Sequence, residues 1–142
     1  MGEDQGKTAY NFQLKDIKSN KIINLSDLKG KVVLVEFWAT WCPPCKLETP
    51  SIVTLYNTYK QKGFEVVAIS MDQQGKDVVI PYMNEEKIEY IVALGNKHVV
   101  EKYGNIISIP TAFLVDRNGI ISKKYVGITL KSTFESDIKS LL

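Results

Sequence analysis

Both cysteines of the chain lie in one short segment, Trp41-Cys42-Pro43-Pro44-Cys45-Lys46. An apolar run ends near Trp38, and a helical pattern starts at Pro43. The spacing therefore puts Cys42 at a helix N-terminus. Free backbone N–H groups and the positive end of the helix dipole favour negative charge there. A thiolate is stabilised, so Cys42 should titrate below the free value of about 8.5. Cys45 lies one turn further in, close enough to close a small ring and better hidden. This suits Cys42 to attack a partner's disulfide and Cys45 to resolve the mixed disulfide. The two prolines stiffen the turn, and Pro43 fits a first helical position, where its missing N–H costs nothing. Other readings of the pair are weaker. A zinc site needs two further ligands, and His98 is the only histidine. Haem attachment needs a histidine straight after the second cysteine, where Lys46 stands. A purely structural disulfide over so short a loop adds little stability.

The elements that must hold this pair follow from the apolar pattern. Lys31 to Trp38, Gly63 to Ser70 and Pro110 to Asp116 carry unbroken apolar runs, the mark of strands buried on both faces. Thr111 to Val126, with Asn118-Gly119 at its centre, reads as two strands and a tight turn. Pro43 to Tyr59 reads as a long helix with Leu47, Ile52, Leu55, Tyr56 and Tyr59 near one face. Lys76 to Lys87, Lys97 to Tyr103 and Ser132 to Leu142 read as further helices, and Tyr10 to Asn24 as a β-hairpin. Strands alternating with helices imply crossovers and a mainly parallel centre. The expectation is one α/β domain over residues 10–142. Residues 1–9 read as a flexible tail or the remnant of a lost upstream segment.

Composition narrows the function. The chain has 142 residues, 44% hydrophobic and 24% charged, enough for a packed core without staples. Eighteen basic and sixteen acidic side chains give a net charge of +2. That balance argues against nucleic acid or a membrane surface as partner. The longest apolar run, Tyr90 to Leu94, is far short of the roughly 20 residues a spanning helix needs. The first residues are polar, without the apolar core of a signal peptide.

Glu36-Phe37-Trp38-Ala39-Thr40-Trp41-Cys42-Pro43-Pro44-Cys45 resembles the active-site segment of the thioredoxin superfamily. Ile109-Pro110-Thr111-Ala112-Phe113-Leu114-Val115-Asp116-Arg117-Asn118-Gly119 resembles a second signature of its TlpA/ResA-like branch. The opening Phe12-Gln13-Leu14 and Asn24 to Lys31 do so too. The resemblance runs from about Tyr10 to Leu142. It implies a thioredoxin-like fold: a central mixed sheet flanked by helices, an N-terminal β-hairpin and a central αβ insertion near Asp77 to Leu94. It also implies that Pro110 is cis and faces the dithiol, aiming the backbone of Ile109 at an incoming peptide for strand-like pairing.

Two acids take roles from the same resemblance. Glu36 stands where thioredoxin carries a buried aspartate. Buried, it would hold its proton toward neutrality and could carry the proton of Cys45; otherwise it is a strand-end glutamate reaching solvent. Glu48 matches an active-site glutamate of ResA-like proteins, and it also reads as a first-turn acid complementing the helix dipole. Glu36 and Glu48 together are expected to set the pH dependence of the dithiol. Trp41, Pro43, Pro44, Ile109 and Pro110 form the expected client-binding surface.

The activity implied is thiol–disulfide exchange with client proteins by a monomer that needs no cofactor or metal. The branch implies an extracytoplasmic or periplasmic reductant, membrane-anchored through a segment outside this sequence, with a cytoplasmic site as the alternative. Its partners would be disulfide- or dithiol-bearing clients such as an apocytochrome c, with a membrane dithiol protein as electron donor. Two rival classes stand beside it. A peroxiredoxin-type thiol peroxidase requires threonine three positions before the reactive cysteine, where Ala39 stands, and a peroxide assay discriminates. A copper-binding assembly module needs wider cysteine spacing and a histidine ligand, and metal titration discriminates.

Overall fold

A computed structural model describes residues 4–142. A short hairpin comes first, β1 (Gln13–Lys15) against β2 (Ile22–Asn24), followed by a 3-10 turn at Leu25–Leu28. Then come β3 (Val32–Trp38), α1 (Pro43–Tyr59), β4 (Phe64–Ser70), α2 (Lys76–Glu86), β5 (Ile91–Leu94) and α3 (Lys97–Lys102). The chain closes with β6 (Thr111–Val115), β7 (Ile121–Val126) and α4 (Lys131–Leu141). The five-stranded sheet has the order β5-β4-β3-β6-β7. β3, β4 and β5 run parallel, and β6 and β7 are antiparallel to their neighbours. This is the mixed sheet that the resemblance implies. The insertion supplies α2 and the edge strand β5.

Every residue of β3 is buried, Glu36 included, as a central strand covered on both faces requires. The period of two then sorts them. Leu34 and Trp38 face a core built with α1, α2 and α4; Val33, Val35 and Phe37 face one built with α3 and the N-terminal segment. Glu36 shares the parity of Leu34 and Trp38, so it points beneath α1. β3 and β4 both end at the edge where α1 begins, and Met71 N–H donates to the Trp38 carbonyl at 2.7 Å to hold the two ends level.

Two expectations are corrected. Leu47 does not join the inner face of α1. That face is Cys45, Glu48, Thr49, Ile52, Leu55 and Tyr59, at helical spacing. Leu47 is two residues, or about 200°, round from Cys45, and is exposed. Nor are residues 4–9 a free tail; residues 1–3 lie outside the described residues. Gly6 N–H donates to Ile121, Ile121 N–H to Lys7, and Ala9 N–H to Gly119. The start of β7 would otherwise leave its edge groups unpaired, and this segment satisfies them.

Candidate functional site: a dithiol over two buried acids

Cys42 is extended, at φ −93° and ψ 110°, and caps the N-terminus of α1. Its sulfur accepts the backbone N–H of Cys45 at 3.3 Å, so one orphan donor of the first turn points at sulfur rather than at water. Cys42 and Cys45 are joined as a disulfide with Cα atoms 5.3 Å apart, within the range such bonds accept. Pro43 and Pro44 occupy the first helical positions and are exposed. Cys45 is fully buried; Cys42 keeps a trace of exposure.

The Ile109–Pro110 peptide is cis, and the carbonyl oxygen of Ile109 lies 3.7 Å from the Cys42 sulfur. Ile109 is half-buried and Pro110 buried, so the proline shapes the backbone rather than offering surface. Trp41, the exposed neighbour of Cys42, differs from Trp38, which is buried and packs against Tyr82 with ring centroids 5.3 Å apart. The indole N–H of Trp38 has no hydrogen-bond partner among the described residues.

Both acids are buried in the core on the α1 side of the sheet, Glu48 one turn after Cys45 on the inner face of α1. Glu36 and Glu48 are each 2% exposed and lie close enough for each to shift the other's carboxyl. Of the two sequence readings of Glu36, the strand end reaching solvent is ruled out by this burial. Desolvation pushes Glu36 well above its ordinary value, and the charge of Glu48 pushes it further. Glu48 is also raised by burial, with the Thr129 N–H at 2.8 Å and Glu36 pulling it back. Both carboxyls are therefore raised, and the pair holds a proton at pH values where a surface glutamate has lost it. Tyr90, buried close by, is held well above its ordinary range by desolvation and then by the charge of Glu36.

Some contributors carry no sequence signal. Asp72, just past β4, accepts the Thr40 backbone N–H at 3.0 Å, the Thr40 hydroxyl at 2.6 Å and the Ser70 hydroxyl at 2.7 Å. It clamps the loop that leads to Cys42. Only the pairing of β3 with β4 brings it there. Thr129 reaches Glu48 from 81 residues away. Tyr82 has a weak signal, since Val79, Tyr82 and Met83 form an inward helical stripe. Its hydroxyl donates to Thr49 at 3.0 Å, and the Thr49 hydroxyl donates to the Cys45 carbonyl at 3.0 Å. His98 sits apart from the dithiol, on α3 at the other face of the sheet, with its ring nitrogen 2.7 Å from the Tyr10 hydroxyl.

Known proteins resemble this chain in sequence and fold. The Redoxin family matches residues 4–142. The thiol-disulfide oxidoreductase ResA of Bacillus anthracis is 36% identical over 138 residues, covering 96% of this chain and 78% of the relative. ResA of Bacillus subtilis (strain 168) is 36% identical over 129 residues, 90% of this chain and 70% of the relative. Among solved structures, a thiol:disulfide interchange protein of the thioredoxin family from Chlorobium tepidum superposes with a TM-score of 0.88 at 31% identity, covering 99% of both chains. StoA of Bacillus subtilis gives 0.74 at 26% identity, covering 90% of this chain and 97% of that one. With a thioredoxin-like fold and a disulfide at the N-terminus of its first long helix, the chain belongs to the Redoxin family and is a thiol-disulfide oxidoreductase of the ResA type.

Proposed function

We propose that this protein reduces disulfides in extracytoplasmic client proteins, apocytochrome c awaiting haem among them, and is itself re-reduced by a membrane dithiol protein. The observation that carries the reading is the pairing of a helix-capping Cys42 with a buried Cys45, one turn before Glu48 in a core that also buries Glu36. The thiolate of Cys42 attacks the client disulfide, forming a mixed disulfide and releasing one client thiolate. Cys45 gives its proton to the buried pair and attacks Cys42. The second client thiolate leaves, and the Cys42–Cys45 disulfide forms. The client gains two electrons and this protein loses them. Glu36 and Glu48 carry the proton, because burial raises both carboxyls and makes them better proton acceptors than surface glutamates. Ile109 presents its backbone to the client segment in strand-like fashion, with Trp41, Pro43 and Pro44 around it. The extracytoplasmic location, the membrane anchor and the cytochrome client rest on the likeness to the ResA branch.

The test is the reduction potential of the Cys42/Cys45 couple, measured by equilibration against thiol buffers. Trp38 and Trp41 supply the fluorescence signal. A value near or below about −250 mV is expected of a reductant. A value near about −120 mV, that of a strong oxidant, overturns the direction of electron flow proposed here.

A further inference from the structure

Tyr82 has no place in the exchange scheme, yet it touches both approaches to the disulfide. It lies on α2, in the inserted unit, and is buried. Its ring packs on Trp38 with centroids 5.3 Å apart and planes 35° from parallel. Trp38 ends β3, and the turn from there to Cys42 is short, with Cys42 N–H donating to the Ala39 carbonyl at 3.3 Å. On the other side, the Tyr82 hydroxyl donates to the Thr49 hydroxyl at 3.0 Å, and that hydroxyl donates to the Cys45 carbonyl at 3.0 Å. Two buried hydroxyls donating in series strengthen one another.

The first turns of α1 need such a tie. Pro43, Pro44 and Pro50 all lack an N–H, and Pro50 stands inside the helix. The Lys46 carbonyl, four residues before Pro50, therefore receives no helical N–H, and the proline ring pushes against it. The Thr49 hydroxyl, bonded back to the carbonyl four residues earlier, favours a bend at the same place. The turn that carries Cys45 is thus weakly joined to the rest of α1, and the Tyr82 hydroxyl supports it from outside the helix. This tie is coupled to the disulfide. The Cys42–Cys45 bond holds the same turn against the end of β3 that Tyr82 holds through Thr49 and Trp38. By linkage, whatever the disulfide adds to the tie, the tie adds to the disulfide. Once the bond is open, the tie keeps Cys45 in place; without it, ring closure must order the turn anew.

We propose that Tyr82 is a positioning residue for Cys45. Through Thr49 it holds the first turn of α1 in the geometry that ring closure requires, and so raises the effective concentration of Cys45 at the Cys42 sulfur. The inserted helix thereby acts on the chemistry without touching a reacting atom. The proposal rests on the exchange scheme above and is independent of the client and of the direction of electron flow.

The test isolates one step with glutathione. The protein is equilibrated with reduced and oxidised glutathione, quenched with acid, and resolved by mass into dithiol, Cys42–glutathione mixed disulfide and internal disulfide. In the step of interest the Cys45 thiolate attacks the Cys42 sulfur, the Cys42–Cys45 bond forms and glutathione leaves as its thiolate. The equilibrium constant of that step is the effective concentration of Cys45. Tyr82→Phe keeps the ring on Trp38 and removes only the hydroxyl. It should lower the constant about fivefold, the weight of a typical buried hydrogen bond. The reduction potential should rise with it by about 20 mV, at about 30 mV per tenfold. Thr49→Val should do the same, and Thr49→Ser should match the parent. Tyr82→Phe combined with Thr49→Val should equal either single variant, because the two hydroxyls act as one chain. Tyr103→Phe is the control: it removes a hydroxyl bond to the Tyr10 carbonyl, 2.7 Å long, on the other face of the sheet, and should leave the constant unchanged. An unchanged constant in both Tyr82→Phe and Thr49→Val would overturn the positioning role and leave the exchange scheme intact. An equal fall in Tyr103→Phe would overturn it too, as a general loss of stability. A parent that forms neither the glutathione adduct nor the internal disulfide would overturn the exchange scheme, and the positioning role with it.

Discussion

Two carboxyl groups are buried together on the α1 side of the sheet, and this sets what single substitutions should do. With Cys45→Ser, Cys42 can still attack but the mixed disulfide has no resolving thiol. The variant should accumulate a client adduct visible on a non-reducing gel, whereas Cys42→Ser should give none. Glu36 makes a separate prediction about stability. Its ordinary value is 4.5, and burial raises it well above that in the folded chain. Between those two values the folded state holds a proton that the unfolded chain has released. Its contribution is fully present below about pH 4.5 and is lost as pH rises through the folded value. Glu36→Gln removes the charge that must otherwise be buried. Calorimetry should find the variant and the parent alike near pH 4 and the variant increasingly the more stable toward pH 8. A difference that does not change with pH would show that Glu36 is not the group responsible. Cys42 and Cys45 were legible from spacing alone, because helix and dithiol are local. The closeness of Glu36 and Glu48 was legible only as a parity and a turn; the bond from Thr129 to Glu48, 81 residues away, leaves no local trace.

At the level of elements, the site is a junction between the ends of β3 and β4 and the start of α1. Asp72 binds that junction through Thr40 and Ser70. Removing its carboxylate strands the Thr40 N–H and hydroxyl, at a cost of about 1–3 kcal/mol. Asp72→Ala should unfold at lower temperature, and hydrogen exchange at residues 39–42 should accelerate while exchange in α4 does not. Unchanged exchange at those amides would mean that Asp72 does not hold the loop. The elements themselves were readable because their causes are local: unbroken apolar runs for buried strands, Asn118-Gly119 for the last turn, Pro43 for the start of α1. What the local pattern misses is the facing of Leu47 and the pairing of residues 6–9 with the start of β7. Leu47 reads as inward because it is apolar, yet helical geometry puts it on the outer side of α1, where it is exposed.

At the scale of the whole molecule, both edges of the sheet are covered by the N-terminal part of the chain. Residues 6–9 pair with the start of β7 and its preceding turn, while Asp16 bridges to Ala93 and Ile17 N–H donates to Val92 on β5. Removing residues 1–9 uncovers the β7 edge, which then becomes a template for pairing with another chain. The shortened protein should lose several degrees of thermal stability, at about 2–4 °C per kcal/mol, and should self-associate in sedimentation as concentration rises. Its reduction potential should match that of the parent, since the disulfide lies at the other end of the sheet. That separation follows from strand direction: β3 delivers the chain to Cys42 at its C-terminal end, and β7 starts at the opposite pole, where Ile120 bridges to Thr8. The molecule is therefore polarised like a plug, with its handle at one end and its contacts at the other. A tether joined ahead of residue 4, whether a resin linker or a neighbouring domain, would leave the reactive face pointing away from its support.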